Sequence, residues 1–511
     1  MTQPVSTLRR LSAAPNTGTA AALAAILALG LVLRIVFWYG LVLVDPAAYA
    51  DSAESIARGI PSFNHEFLGN LYYTQYIRLA LTVPAAVFYK LFGPGEVVST
   101  IVPIGASLGM GLIAFELARR EAGNRAGLIA AFLVVIFPVN VINSTQFLPD
   151  TMMAFFAGLT MLLFLTVLER EHTRRQRLLL YFAVGVAWAL AFYGRQTAVG
   201  LAIPFAALIA MRRRFHREIF AGIPGALLVV LAVQVLLMHL GGTFLEDLRT
   251  TLAESHNSQP GALQYTDLDL SYIRDLLHDP MFIPTSFLGG VGLLLTIAAQ
   301  GRKRCLDGLV LPLFVLIVGQ YLYFEFLMRL PSLYSWWKEP RYVLSMMLLI
   351  CVLAGIGLSQ WLDMLEGSAR RMAAFYVVCG LLFASVVSLS TVRNDHAYWR
   401  ANRVDAVEIQ VADFLKTQPP APLFTWDDDF ARYISPHIGL DKTSAYERQN
   451  NRGVVRNRFD AAGNSLVEPG SFVVVNDAAA APGLKTAPDP SWQMVWEKAG
   501  VLKVYRIPPK P

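Results

Sequence analysis

The chain has 511 residues, of which 55% are hydrophobic and only 16% charged, and its mean hydropathy is +0.46. This composition excludes an ordinary soluble globular protein. The formal net charge of +6 does not indicate a nucleic-acid partner, because the basic residues stand in short clusters between apolar runs. The three cysteines, Cys305, Cys351 and Cys379, fall outside the predicted outer loops, so no disulfide framework is expected.

Apolar runs of about 20 residues recur along the chain, and each is long enough to cross a hydrocarbon core of ~30 Å. They predict a polytopic α-helical membrane protein. The expected spans number eleven and lie near residues 20–44, 97–118, 126–143, 149–168, 178–194, 196–211, 219–240, 283–299, 308–327, 341–360 and 373–391.

Alternate connections between these spans are basic, as is the segment that precedes the first one. The basic stretches are Arg119–Arg125, REHTRRQR, MRRRFHRE, GRKR and SARR, and with eleven spans all of them share a side with Arg9 and Arg10. The positive-inside rule places that side in the cytoplasm. We therefore expect a multi-pass protein of the bacterial inner membrane with a cytoplasmic N-terminus and a periplasmic segment after about residue 391.

The first outer loop, residues 45–96, opens where the first span is expected to leave the bilayer. Its stretch LYYTQYIRLALTVPAAVFYKLFG predicts an amphipathic helix lying in the membrane interface. Asp45 at the start of the loop is our candidate for a catalytic carboxylate. The other candidate binding residues of the loop are Tyr49, Asp51, His65, Glu66, Tyr73, Gln75 and Arg78.

The second outer turn places Asp150 at the N-terminal start of a helix. From the turn alone Asp150 reads as a helix cap, because a carboxylate there accepts from free backbone N–H groups and complements the helix dipole. Two carboxylates on one face change this interpretation, since sugar transfer needs a base for the acceptor hydroxyl and cations for the departing phosphate. Arg195, Lys338 and Arg341 are candidate cations of the same face, with snorkelling to lipid headgroups as the alternative.

The order of these features resembles the GT-C fold of the family 39 and 83 glycosyltransferases, which include protein O-mannosyltransferases and the aminoarabinose transferase of lipid A. The resemblance covers residues 20–360 and rests on the outer Asp45, the interfacial helix ending in KLFG, Asp150 and the helix start PRYVLSMMLL.

The resemblance implies inverting transfer of a sugar from a polyprenyl-phosphate donor to an acceptor hydroxyl, with Asp45 as base and Asp150 as the second acidic position. Arg195, Lys338, Arg341 and Tyr342 would face the donor phosphate. The acceptor would be lipid A or another lipopolysaccharide sugar, an envelope glycan or a protein. Many relatives have Asp-Glu at the first site, whereas Pro46 follows Asp45 here, which leaves Asp51, Glu54, Glu66 or no residue in the second place.

Three further groups invite specific interpretations. His65 and Glu66 are candidates for binding a divalent ion, although the sequence establishes no cofactor. The acidic run Asp427–Asp429 resembles the metal motif of soluble nucleotide-sugar transferases, but we expect ordinary caps outside the membrane. Arg34, inside the first span, is expected to pair with an acidic or polar group on another helix, such as Glu116 or Gln320, or to snorkel.

Residues 392–511 differ in composition from the rest and predict a small periplasmic α/β domain. The stretch APLFTWDDDFARYISPH predicts a strand and a helix, EPGSFVVVND a buried strand, and VWEKAGVLKVYRI two strands around a turn. Residues 1–391 would form the catalytic membrane domain.

Two alternatives remain open. A transporter or flippase of a lipid-linked sugar would usually show internal repeats, and an O-antigen ligase or polymerase would carry its large outer loop late in the chain.

Overall fold

The computed structural model describes residues 16–41, 45–59, 78–169, 171–212, 215–239, 244–245, 271–326, 340–404, 407–419, 423–425, 470–476, 491–498 and 502–508. Its helices are α1 (Thr17–Val36), α2 (Asp45–Arg58), α3 (Leu79–Phe92), α4 (Glu96–Ile136), α5 (Pro138–Ser144), α6 (Pro149–Glu169), α7 (Arg174–Gly194), α8 (Ala202–Arg212), α9 (Gly222–His239), α10 (Ser271–His278), α11 (Ile283–Asp307), α12 (Val310–Glu325), α13 (Leu344–Met364), α14 (Gly367–Val404) and α15 (Val407–Thr417). Short 3-10 helices cover Gln196–Leu201, Arg217–Ala221 and Pro340–Val343.

The predicted polytopic helical architecture is confirmed. Within the described ranges seven helices are long and apolar enough to cross a membrane, and the pair α10–α11, bent by 96°, makes an eighth if it is one span. The predicted spans 97–118 and 126–143 both begin within α4, whose backbone breaks at Ala122 and Gly123. The predicted spans 196–211 and 308–327 fall on the shorter apolar helices Gln196–Arg212 and Val310–Glu325. The count of eleven stays a prediction.

The first helix ends earlier than the apolar run predicts. We expected a span over 20–44, but α1 ends at Val36. The N–H of Gly40 donates to Thr145 O at 3.0 Å, and Gly40 forms an isolated parallel bridge with Gln146. Because this pairing takes the backbone N–H that a longer helix would use internally, the chain leaves the helix although its residues remain apolar. Asp45 therefore begins a new helix rather than ending the first span.

The core of the membrane domain is built around α13. The span that contains it is 94% buried, and its apolar residues point in all directions, as expected of a helix enclosed by others. Small residues let its neighbours approach closely: a Cβ on Gly357 would overlap Gly292 O of α11, and a Cβ on Gly355 would meet Ala126 O of α4 at 2.5 Å.

Arg34 of α1 is fully buried, which in a membrane costs ~2.5–3.5 kcal/mol on insertion scales. The expected polar partners on other helices are present, but neither Glu116 nor Gln320 is among them. Glu116 pairs with two arginines of its own helix, and Gln320 accepts from Ser345. Arg34 donates instead to uncharged acceptors on α1, α4 and α5, namely Ser107 Oγ, Ser144 Oγ, Gly30 O and Val135 O.

A small mixed sheet follows the membrane domain, as predicted. Strands β1 (Leu423–Thr425), β2 (Phe472–Asn476), β3 (Gln493–Lys498) and β4 (Leu502–Arg506) have the order β1-β2-β4-β3. The pair β1–β2 is parallel and the pairs β2–β4 and β3–β4 are antiparallel. The acidic run Asp427–Asp429 lies outside the described residues. Helix α14 continues past residue 391 to Val404, and the domain boundary stays a prediction.

Candidate active site

The centre of the site is a buried carboxylate at the start of α6. Asp150 is fully buried, and its Oδ1 lies 2.5 Å from Nη1 of Arg195. Its Oδ2 lies 3.6 Å from Nε of Arg341. Asp150 therefore joins two arginines that come from different parts of the chain, so its role goes beyond the helix cap that the turn alone indicates.

The packing of two helix ends brings Arg195 to this carboxylate. Helix α7 ends at Gly194, where a Cβ would lie 2.9 Å from the backbone N of Met153 in α6. A residue without a side chain allows this close approach. The backbone becomes extended at Arg195, with φ −159° and ψ 134°, before the next 3-10 helix begins. Sequence patterns do not reveal this contact, since the spacing between the two helices depends on their packing.

Tyr342 completes the cluster. Arg195 Nη2 donates to the Tyr342 hydroxyl at 2.6 Å, and the Arg195 guanidinium carbon lies 3.9 Å from the centroid of the ring. The cation–π contact and the hydrogen bond fix the guanidinium plane. Burial by itself lowers the pKa of Arg195, but the Asp150 carboxylate raises it and the net direction is upward, so Arg195 stays cationic. Among the described side chains, one carboxylate faces these two guanidinium groups.

Arg78 is linked to this cluster through Gln196. It precedes α3, is 1% exposed, and its Nη1 donates to Oε1 of Gln196, the residue after Arg195. In the part of the chain that the structure describes, no carboxylate contacts Arg78. From the sequence, Arg78 is a candidate binding residue of the first outer loop. In the structure it bonds the residue that follows Arg195, a candidate for binding the donor phosphate. Gln196 was missed, and no sequence signal marks it.

The start of α2 lies beside the start of α6. Tyr49 is buried in one cluster with Leu148 and Met152, and it lies near enough to Arg195 to affect the pKa of that group. Asp45 is the first residue of α2, one turn before Tyr49. The two acidic positions of the sequence analysis are thus brought to the same end of the helix bundle at the level of the backbone.

Several predicted site residues are not placed by the structure. His65, Glu66, Tyr73, Gln75 and Lys338 lie outside the described residues, and so do the side chains of Asp45 and Asp51. The predicted metal site at His65 and Glu66 therefore stays a prediction. Within the described ranges, no group of three or more His, Cys, Asp or Glu side chains is arranged to hold a metal ion.

Glu54 of α2 is fully buried and pairs with Arg58 at 2.6 Å. From the sequence, Glu54 is one of three acidic residues that could replace the Glu found after the first Asp in many relatives. Its i,i+4 spacing to Arg58 was the available signal.

The site and the basic clusters lie at opposite ends of the same helices. Asp150 lies in the first turn of helix α6, and near the other end of that helix Thr166 accepts from Arg120 at 2.6 Å. Helix α7 ends beside Arg195, and near its beginning Arg177 pairs with Glu218 at 3.2 Å. The candidate site is therefore on the face of the bundle away from these arginines.

Comparison with known proteins agrees with this architecture. Residues 83–239 match the family model described as dolichyl-phosphate-mannose-protein mannosyltransferase. No curated protein matches the sequence. The structure resembles ArnT from Cupriavidus metallidurans in the apo state, with TM-score 0.63, 15% identity, and coverage of 96% of this chain and 98% of that one.

Two further solved structures are similar. One is the same ArnT bound to undecaprenyl phosphate, with TM-score 0.64 and 14% identity over 94% of this chain and 97% of that chain. The other is the Archaeoglobus fulgidus oligosaccharyltransferase tethered to an acceptor peptide, with TM-score 0.53 and 14% identity over 82% of this chain and 63% of that chain. These likenesses show that the chain has the GT-C fold of membrane glycosyltransferases, and the resemblance drawn from the sequence is confirmed.

Proposed function

We propose that the chain transfers a sugar from a polyprenyl-phosphate donor to an acceptor hydroxyl at the outer face of a bacterial inner membrane. The N-terminus and the basic clusters lie in the cytoplasm in this proposal, and the C-terminal sheet lies in the periplasm. The single observation that carries it is the cluster of Asp150, Arg195, Arg341 and Tyr342, in which two guanidinium groups meet one buried carboxylate at a helix-bundle end.

The proposed reaction is a displacement with inversion at the anomeric carbon. The Asp45 carboxylate takes the proton of the acceptor hydroxyl, and the acceptor oxygen forms a bond to the anomeric carbon. The bond from that carbon to the phosphate oxygen breaks, and its electron pair stays on the phosphate. General-base help of this kind is typically worth about 10²–10⁴-fold.

The charge of the leaving group explains the arginines. The donor phosphodiester carries one negative charge, whereas a free phosphate monoester carries about −1.5 to −2 at neutral pH. Negative charge therefore grows on the phosphate as the bond breaks, and cations already held in place stabilise it without reorganisation. Asp150 holds Arg195 and Arg341 in place, and their excess charge and that of Arg78 would remain for the phosphate.

ArnT binds undecaprenyl phosphate in one of the similar structures, which supports a polyprenyl-phosphate carrier. The acceptor proposed here is a lipopolysaccharide or lipid A sugar, an envelope glycan or a protein hydroxyl.

The test compares envelope glycolipids and glycoproteins by mass spectrometry in cells that carry the wild-type chain, the Asp45→Asn variant or no chain. We expect a sugar-sized mass on one acceptor class in wild-type cells alone. A matching assay in lipid vesicles measures release of polyprenyl phosphate from its sugar-loaded form. Identical acceptor masses in all three cell types, together with no release in vesicles, would refute the proposal.

A further inference from the structure

We infer that Arg34 is a positioning residue: it joins the two chain segments that lead to Asp45 and Asp150 and so sets the geometry between these acids. The inference rests on the proposed function, because it assigns a role within the same site. Arg34 lies in the last turn of α1 and is 0% exposed, so no substrate reaches it. Any effect on transfer must pass through the groups that it contacts.

The contacts of Arg34 converge on the turn before α6. Its Nε donates to Ser144 Oγ at 2.9 Å and to Ser107 Oγ at 3.0 Å. Ser144 is the last residue of α5, and Ser107 Oγ in turn donates to Asn140 Oδ1 at 2.9 Å within α5. Arg34 thereby attaches α1 and α4 to the short helix that precedes Asp150.

Backbone pairing of Gly40 with Thr145 and Gln146, which we call the joint, links the two segments directly. Thr145, which follows Ser144, accepts the backbone N–H of Gly40 at 3.0 Å, and Gly40 pairs with Gln146. From this joint Asp45 is five residues ahead on one segment, and Asp150 is four residues beyond Gln146 on the other. We call residues 37–41 and residues 145–149 the two arms of the joint. The Arg34 guanidinium lies beside the start of the second arm, where it bonds Ser144.

A guanidinium suits this place because of its shape. It presents five N–H donors in a rigid plane, and here they reach acceptors on three helices, including the backbone oxygens Gly30 O and Val135 O. None of the partners among the described residues is a carboxylate, so the charge is not held for an ion pair. Lysine has three donors on a flexible stem and reproduces only part of this set.

The experiment measures two quantities on full-length protein in lipid nanodiscs. The variants are Arg34→Met, which removes all contacts, Arg34→Lys, which keeps the charge, and Ser144→Ala, which removes one acceptor. Transfer kinetics give kcat and the KM for the polyprenyl-phosphate sugar, and hydrogen exchange read by mass spectrometry reports on peptides that cover the two arms. Thr160→Ala is the control, since among the described residues this buried hydroxyl donates to Phe156 O of its own helix and bonds no other element.

We expect Arg34→Met to lower kcat by up to about 100-fold, the loss that a misplacement of ~1 Å can cause, with the donor KM retained. Exchange in both arms should become faster while exchange in α13 stays slow. Arg34→Lys should recover part of the rate, Ser144→Ala should lose part of it, and Thr160→Ala should match wild type in both measurements.

If wild type transfers sugar but Arg34→Met keeps its kcat, or loses it without faster exchange in the arms, the inference is wrong. If Arg34→Met does not insert, Arg34→Lys and Ser144→Ala decide by the same two measurements. A wild-type chain that releases no polyprenyl phosphate would refute the proposed function instead, and the exchange data would still show whether Arg34 holds the joint.

Discussion

At the scale of single residues, the role of Asp150 follows from its environment. A buried carboxylate beside two guanidinium groups is a structural and electrostatic partner of those cations: its Oδ1 accepts a hydrogen bond from Arg195, and its Oδ2 lies 3.6 Å from Nε of Arg341. It is therefore poorly placed to take a proton from an acceptor. In the proposed reaction the base is therefore Asp45, at the start of α2.

The first prediction concerns Asp45. Asp45→Asn keeps the size of the side chain but removes the base, so transfer should fall by at least ~100-fold while donor binding is largely kept. Vesicle assays of polyprenyl phosphate release and donor binding measure the two effects separately. Asp363→Asn, which changes a half-exposed acid paired with Arg370 at 3.7 Å, is the control and should leave both unchanged. Near-normal transfer by Asp45→Asn would remove this residue from the mechanism.

The second prediction separates the two contacts of Tyr342. Tyr342→Phe keeps the ring against Arg195 but removes the hydroxyl that accepts from Nη2. A hydrogen bond to a charged group is worth about 1.5–3 kcal/mol. We therefore expect kcat/KM for the sugar donor to fall by about one to two orders of magnitude. Tyr342→Leu, which also removes the ring, should lose more. Equal kinetics for Phe and Leu variants would show that the ring contributes nothing.

The third prediction concerns Asp150. Asp150→Asn removes the carboxylate that pairs with the buried Arg195 and with the partly exposed Arg341, and breaking a buried pair from one side costs about 3–5 kcal/mol. We expect a clear drop in thermal midpoint and loss of transfer. The double variant Asp150→Asn/Arg195→Gln should recover part of the midpoint, because it removes one of the stranded charges. A midpoint that falls further in the double variant would contradict this account of the pair.

At the scale of elements, close helix packing holds the site rigid. Helix α13 continues from the 3-10 helix that carries Arg341 and Tyr342, and it touches α11 backbone to backbone at Gly357 and Gly292. A substitution that disrupts this contact should therefore shift Arg341 and Tyr342 as well as destabilise the fold.

The fourth prediction tests that contact. Gly357→Val places atoms where Gly292 O lies, and overpacking of this kind costs about 1–3 kcal/mol or more. The thermal midpoint in detergent should fall. Gly290→Ala is the matched control in α11, since nothing lies within 4 Å of its added Cβ, and alanine is the better helix former. Equal midpoints for the two variants would contradict the packing.

At the scale of the whole molecule, function depends on which end of the bundle faces outward. The proposal places the Asp150 cluster and the outer end of α14 on the periplasmic side. Near the outer end of α14, the hydroxyl of Tyr39, which follows α1, donates to Asp395 at 2.5 Å. The C-terminal sheet is then a periplasmic attachment carried by α14.

The fifth prediction is a labelling experiment for this orientation. In a variant without native cysteines, Tyr398→Cys at the end of α14 should react with a membrane-impermeant maleimide on spheroplasts. Arg174→Cys at the start of α7 should react only after lysis. Both positions are well exposed, at 74% for Tyr398 and 83% for the side chain of Arg174, so burial does not explain a difference. The reverse pattern would place the site in the cytoplasm.

The sequence by itself determined the class of the protein and the positions of most helices. Hydrophobic runs and helix-start signals are local properties, so the membrane spans, Asp150 at the start of α6 and the strand FVVVN could all be predicted from them. The family resemblance also named Arg195 and Arg341, which the structure brings to Asp150, because the order of motifs along the chain is readable without coordinates.

Only the tertiary structure decided where α1 ends and which charged groups meet. Arg195 bonds Asp150 across 45 residues and Tyr342 across 147, and Arg34 bonds Ser144 across 110. Such partners depend on which helix ends come together, and a buried donor bonds to whatever acceptor oxygen lies within reach. The sequence therefore predicted polar partners for Arg34 but not which residues they are, and it missed Gln196 beside Arg78, because local patterns carry no information about contacts between distant helices.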